Sequence, residues 1–355
     1  MNIIDNNNIW LLSHYTAVKP VREFFAKSGL PVTIYRAIDQ NHYNSLTTQE
    51  AKDGYIALVD NNPYPQGSNA ISYDFRIPES KKDYKLIGSI RNPYTSFVTE
   101  WRRETLQGAK SIFELISKKQ DLPPSVRGTD SPTIGNPKSL LRKTFREWID
   151  KTFDDLTSPG TLNPLTYSPL RKSKVANMAY FLNQQNRDLD YIIRYENFKE
   201  DLLSLPFVDS NSDAIKDAKS KVLDSIFENS LEQLEYLKII TFVDILNGGD
   251  HINADKLASR RAQITELLGK LPTNKYPDHK DYFRFIFEDG IEENIQVFFS
   301  KHKGLFNVKD ALSVEELYPA DWRNLYTEKE ANLVYGLFED YFTKFNYSKD
   351  SWKNS

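Results

Sequence analysis

Cysteine is absent from the 355 residues, which excludes a disulfide framework, a thiolate zinc site and a thiol nucleophile. No apolar run approaches the roughly 18 residues needed to cross a bilayer. The first eight residues are polar and lack the apolar centre of a signal peptide, so a soluble cytoplasmic protein, with no membrane partner, is the expectation. Charge of one sign is also lacking: 46 Lys and Arg stand against 49 Asp and Glu, a formal net charge of −3. The basic excess of a general nucleic-acid surface is therefore missing, although an anionic ligand needs only a few local cations. The sequence holds no Gly-x-x-x-x-Gly-Lys-Ser/Thr, which argues against an ordinary nucleotide triphosphatase or kinase, and no Gly-x-Gly-x-x-Gly, Gly-x-Ser-x-Gly or His-Glu-x-x-His. His251, His279 and His302 are isolated and show no metal-ligand spacing, so no metal is expected.

Apolar residues make up 39% of the chain, with 20 Tyr and 21 Phe, a good core for one large α/β domain or two smaller ones. Strands are expected over Ile9 to Ser13, Val32 to Ile38, Tyr55 to Val59, Leu86 to Ile90 and Leu189 to Tyr195. Helices are expected over Val21 to Lys27, with Pro20 at its first position, over Ser139 to Asp155, over Leu170 to about Gln185, and from Phe198 onward. This alternation predicts a mainly parallel central sheet covered by helices on both faces. Asp121 to Pro137 is Pro-rich and reads as a surface loop. Residues 209–302 read as a polar helical insertion within a single domain over 1–355. Glu328 to Phe345 carries Ala331, Val334, Tyr335, Phe338 and Phe342 along one helical face.

Residues 85–101, Lys-Leu-Ile-Gly-Ser-Ile-Arg-Asn-Pro-Tyr-Thr-Ser-Phe-Val-Thr-Glu-Trp, carry the chemistry. A buried strand ends at Arg91, Asn92-Pro93 turns the chain, and Pro93 suits the first turn of a helix. Such a junction lies at the mouth of an α/β sheet, where ligands bind. An Arg fork beside free helix-N-terminal N–H groups suits a phosphate.

This segment resembles the 3′-phosphate-binding signature of sulfotransferases that use 3′-phosphoadenosine 5′-phosphosulfate (PAPS): a strand ending in Arg-Asn/Asp-Pro, then a helix with a hydroxyl eight positions after the Arg. The resemblance implies a 3′-phosphate contact for Arg91 and Thr99, and a P-loop-like sulfotransferase fold. Asp190 to Asp201, Asp-Tyr-Ile-Ile-Arg-Tyr-Glu-Asn-Phe-Lys-Glu-Asp, is similar to the family's strand ending in aromatic-Glu-Asn/Asp, which implies an adenine contact for Tyr195. Glu196 reads as a helix-start acid favoured by the macrodipole. Ala320 to Thr327 looks like the family's Gly-Asp-Trp-Lys-Asn stretch. An Arg-Lys-Gly run that precedes it in the cytosolic branch is replaced by the acidic Ser313 to Glu316, with Arg323 a substitute anchor.

The family's 5′-phosphosulfate loop matches Ser13 to Val21, which implies contacts from Ser13, Tyr15, Thr16 and Lys19. The match departs from the pattern, because the loop has no glycine and its Lys stands several residues late. Lys19 is the candidate for the bridging oxygen of the leaving phosphate. A base must take the acceptor's proton. Asp60 is the first choice, once burial or neighbours raise its pKa, and His14 and His42 compete. PAPS is the expected donor and PAP, 3′-phosphoadenosine 5′-phosphate, its product. The acceptor is a hydroxyl or amine, with a small polar metabolite preferred over a carbohydrate. Two alternatives stand beside this: a PAP/PAPS-binding protein without transfer activity, and an unusual kinase that needs a metal and a nucleoside triphosphate.

Overall fold

The computed structural model describes residues 2–4, 8–11, 18–30, 32–34, 36–39, 55–58, 82–102, 104, 144–157, 177–223, 255, 258–259, 262–266, 314–317 and 319–353. The chain divides into two compact units, one of Met1–Phe97, Ile149–Asp224 and Tyr326–Ser355, the other of Val98–Trp148 and Ser225–Leu325.

The first unit is α/β. In chain order its strands are β1 (Asn2–Ile4), β2 (Asn8–Leu11), β3 (Val32–Ile34), β4 (Arg36–Asp39), β5 (Tyr55–Leu58), β6 (Lys85–Ile90) and β7 (Tyr191–Arg194). Five of them form one sheet in the order β3-β1-β2-β6-β7, while β4 and β5 pair in parallel as a second, two-stranded sheet. The heart of the larger sheet is a parallel trio, β2, β6 and β7, with Leu11 opposite Gly88 and Ile90 opposite Arg194. β1 lies antiparallel to both β2 and β3. The polar composition of the first eight residues hid this strand. The expected strand over Val32 to Ile38 is likewise two strands in two sheets, β3 ending at Ile34 and β4 beginning at Arg36.

β2 and β6 are buried on both faces, which is why β6 reads as an unbroken apolar run rather than an alternating one. On one face Trp10, Ile87 and Ile193 pack with Val21, Phe24 and Phe25 of helix α1 (Val18–Lys27) and with Leu202, Ile215, Val222 and Leu223. Trp10 meets Phe25 edge to face at 5.6 Å, and its indole N–H donates to Ser89 Oγ at 2.6 Å, so the buried indole dipole is satisfied. On the other face Ile9, Leu11, Leu86 and Ile90 are excluded from solvent. Each large apolar side chain so buried contributes on the order of 1.5–3 kcal/mol.

Helix α1 starts three residues before the expected Val21, so Pro20 sits inside its first turn, where a missing N–H still leaves no helical bond unmade. Gly29 ends it with φ of 72°, the left-handed conformation that glycine tolerates. The helix expected from Ser139 runs over Phe145–Thr157. Its start is set by a reciprocal cap in which Thr144 N donates to Glu147 Oε2 and Glu147 N to Thr144 Oγ1. The helix expected from Leu170 is described over Asn177–Gln184. Residues 213–223, placed by sequence inside the insertion, form the helix Asp213–Ala218 and a π-helical turn, Lys219–Leu223, in the core of the first unit. The Pro-rich interval 121–137 lies outside the described residues.

The helix Glu328–Phe345 buries Ala331, Val334, Phe338, Tyr341, Phe342 and Phe345, while Tyr335 is only half-buried. Phe338 packs on Phe97 and Phe153 at 5.5 and 6.1 Å. In the second unit, Trp101 packs on Phe145 at 5.5 Å, Trp148 Nε1 donates to Glu104 Oε2 at 2.7 Å, and Arg102 Nε donates to the Leu317 carbonyl. Among the described residues, no helix is long and apolar enough to cross a membrane.

Candidate functional site

β2, β6 and β7 run in one direction, so their carboxyl ends open at the same edge of the sheet. From β2 the chain returns through α1 to β3 on one side; from β6 it goes on to β7 on the other. Divergence of this kind leaves a crevice at the strand ends, the usual ligand position of open α/β sheets. Arg91 follows β6 there, and Tyr195 follows β7.

Helix α2 spans residues 93–102. Asn92 caps it, its Oδ1 accepting from Tyr94 N at 3.0 Å, and Pro93 takes the first helical position. Over residues 91–101 only Arg91, Thr95 and Thr99 escape burial. The spacing of four places the two threonines on one helical stripe. Arg91 Nε donates to Thr95 Oγ1 at 3.0 Å, and the guanidinium carbon lies 3.8 Å from the centre of the Tyr195 ring, a cation–π contact. Thr95 Oγ1 in turn donates to the Asn92 carbonyl at 3.0 Å.

The expected N–H groups at the start of this helix are in part engaged within the chain. Asn92 N donates to Glu196 Oε1 at 2.9 Å, Tyr94 N to the Asn92 side chain, and Ser96 N to the Asn92 carbonyl; Pro93 has none. A carboxylate of the protein itself satisfies the positive end of the helix dipole. Glu196 is thus more than a helix-start acid: it joins the end of β7 to the turn after β6.

Further side chains fix the same turn. Tyr341 Oη donates to the Arg91 carbonyl at 3.2 Å and accepts from Arg91 N at 3.4 Å. After Phe345 the chain reverses at Asn346, which has a left-handed φ of 55°. The reversal brings the Tyr347 ring parallel to that of Tyr341, with centroids 6.3 Å apart. Tyr347 Oη donates to Glu196 Oε2 at 3.0 Å, Asn92 Nδ2 to Ser351 Oγ at 2.8 Å, and Tyr94 Oη to the Lys349 carbonyl at 2.8 Å. Burial, first of all, lifts the hydroxyls of Tyr94, Tyr341 and Tyr347 above the ordinary tyrosine range, with Glu196 adding to the effect at the latter two. All three stay protonated and able to donate.

Of the residues singled out by sequence, Arg91 and Tyr195 are brought into contact, although the Tyr195 ring carries the guanidinium on one face. Thr99 is half-buried one turn beyond Thr95 and belongs to the second unit. Arg323, also in the second unit, pairs with Asp321 at 3.2 Å and lies 4.9 Å from the Trp322 ring. Lys19 lies in α1. Ser13, His14, Tyr15, Thr16, His42 and Asp60 lie outside the described residues. Thr95, Tyr341 and Tyr347 were missed by sequence reasoning; only Thr95 carried a signal, its four-residue spacing from Arg91. Among the described residues, no group of three His, Asp or Glu side chains is arranged to hold a metal ion. Comparison with protein-family models, with curated proteins and with solved structures finds no match.

Proposed function

We propose that this chain is a PAPS-dependent sulfotransferase of P-loop-like fold. The observation that carries the reading is Arg91 at the carboxyl ends of β6 and β7, its guanidinium held between Thr95 and Tyr195. A planar fork held this way is preorganised for a terminal phosphate, which accepts hydrogen bonds from it in pairs. Thr95 spends its own proton on the Asn92 carbonyl, so its part is to hold the guanidinium rather than to bind the phosphate.

PAPS supplies the sulfuryl group when bound and leaves as PAP. Arg91 binds the 3′-phosphate, with Thr99 as the partner implied by the family signature and Thr95 orienting the guanidinium. Tyr195 offers the adenine its remaining face. The segment after β2, with Ser13, Tyr15, Thr16 and Lys19, starts from the same sheet edge and holds the 5′-phosphosulfate, Lys19 countering charge on the leaving oxygen. Asp60, His14 or His42 takes the proton from the acceptor, a hydroxyl or amine of a small polar metabolite. A cytoplasmic location is part of the same reading.

The test is calorimetric titration with PAP of the native chain and of Arg91→Ala. Binding by the native chain, lost in the variant, is expected; a folded native chain that binds no PAP overturns the proposal. The glycine-free segment 13–19 keeps a second reading open, a PAP-binding protein without transfer. Replacing Lys19 slows a transferase and leaves such a binder unchanged.

A further inference from the structure

We infer that Glu196 is a positioning residue: its carboxylate, anchored by Tyr347, sets the Arg91–Asn92 turn so that Arg91 can receive a terminal phosphate. This rests on the PAP-binding reading above.

Two consecutive residues at the end of β7 grip two consecutive residues at the end of β6. Tyr195 lies under the Arg91 guanidinium, and Glu196 accepts the Asn92 N–H. The grip closes on itself. Glu196 Oε2 accepts from Tyr347 Oη, Tyr347 stacks on Tyr341, and Tyr341 Oη bonds both backbone groups of Arg91. Ser351 and the Lys349 carbonyl secure the same turn through Asn92 and Tyr94. A circuit of this kind removes freedom from the arginine before any ligand arrives, and preorganisation raises affinity by lowering the ordering cost.

Glu196 does not have to touch the ligand to act. Its two oxygens serve two different donors, so losing it frees the turn and the 346–351 segment together. Glutamine preserves both links, because Oε1 can accept from Asn92 N while Nε2 donates to Tyr347 Oη. The expected order of damage is therefore Glu196→Ala, then Tyr347→Phe, with Glu196→Gln close to native.

The experiment compares PAP with adenosine 5′-phosphate, which lacks the 3′-phosphate, on these variants, with Lys329→Met as an exposed control. Glu196→Ala is expected to weaken PAP about tenfold or more, the effect of roughly 1.4 kcal/mol, and adenosine 5′-phosphate less than about twofold. A purely structural role would weaken both nucleotides alike. In parallel, NMR follows hydrogen exchange of the Arg91 Nε–H, which needs no ligand. Faster exchange in Glu196→Ala and Tyr347→Phe, restored in Glu196→Gln, is expected. Unchanged exchange overturns the inference, as does an unchanged ratio of the two affinities. If the native chain binds neither nucleotide, the functional reading fails and the exchange rates alone decide the positioning role. If Glu196→Ala does not fold, Tyr347→Phe, which keeps the stacked ring, carries the same comparison.

Discussion

Thr95→Val isolates a single hydroxyl at the centre of the site. Valine has the shape of threonine and nearly the same helix propensity, so α2 stays in place. The hydroxyl has two bonds to lose: it accepts from Arg91 Nε and donates to the Asn92 carbonyl. That carbonyl keeps the Ser96 N–H, and Thr95 is partly exposed, so water replaces part of the loss. The fold is expected to lose no more than about 1 kcal/mol. In the PAP-binding reading, ligand binding suffers more. Arg91 retains the Tyr195 ring but loses the Thr95 acceptor, and ordering a loosened side chain costs about 0.5–1.5 kcal/mol. With the weakened charge-assisted bond, the net loss for PAP is about 1–2 kcal/mol, or about 5- to 30-fold in affinity. Calorimetry with PAP and with adenosine 5′-phosphate reads it, alongside thermal unfolding. PAP affinity within twofold of native would refute the reasoning. So would a stability loss above about 3 kcal/mol, which would make the hydroxyl structural.

Gly88→Ala tests the close approach of β6 to the segment before β7. A Cβ at Gly88 meets the Leu189 δ-methyl groups, and such overpacking costs about 1–3 kcal/mol, towards the lower end because a leucine tip can rotate. The denaturant midpoint should fall and recover in the double variant with Leu189→Ala; an unchanged midpoint in Gly88→Ala sinks the packing argument. Glu330→Ala should lose about 1–2 kcal/mol, since the nearly buried Glu330 accepts from Thr327 N at 2.8 Å to complete the cap of the last helix. Normal thermal stability would show that the cap is dispensable. Burial works to raise the Asp190 pKa, but the Lys85 hydrogen bond, the Leu86 N–H and the Lys85 and Arg187 charges outweigh it and lower the value. Its stabilisation is present above the ordinary aspartate pKa and is lost as pH falls through the depressed folded value. Asp190→Asn should therefore flatten the acid limb of stability below about pH 4, and denaturant midpoints measured down that limb in both proteins check the slope.

The strands that sequence located best are those written as short unbroken runs. Leu86 to Ile90 and Tyr55 to Val59 were legible because an unbroken β-branched or apolar run has few other solutions. β1 was not legible: Asn2–Ile4 is too short for periodicity, and its place in the sheet comes from pairing with β2 and β3 rather than from its composition. The division between β3 and β4 was equally hidden, since Val32 to Ile38 carries no Gly or Pro to mark a change of sheet.

The site divides in the same way. Arg91 at the strand end, the Asn92-Pro93 turn and Pro93 at the helix start were legible because each acts within a few residues of chain, where spacing alone dictates geometry. Glu196 and Tyr347 were not, because their roles depend on contacts 104 and 151 residues away in sequence. That distinction also explains the error over the helix start. Local rules for an Asn-Pro helix entry leave N–H groups open to an anion; only tertiary pairing of β6 with β7 brings the Glu196 carboxylate to them. In the PAP-binding reading, that internal carboxylate leaves the Arg91 side chain as the main anion contact. Affinity for the 3′-phosphate should consequently follow the rigidity of one arginine more closely than the dipole of one helix.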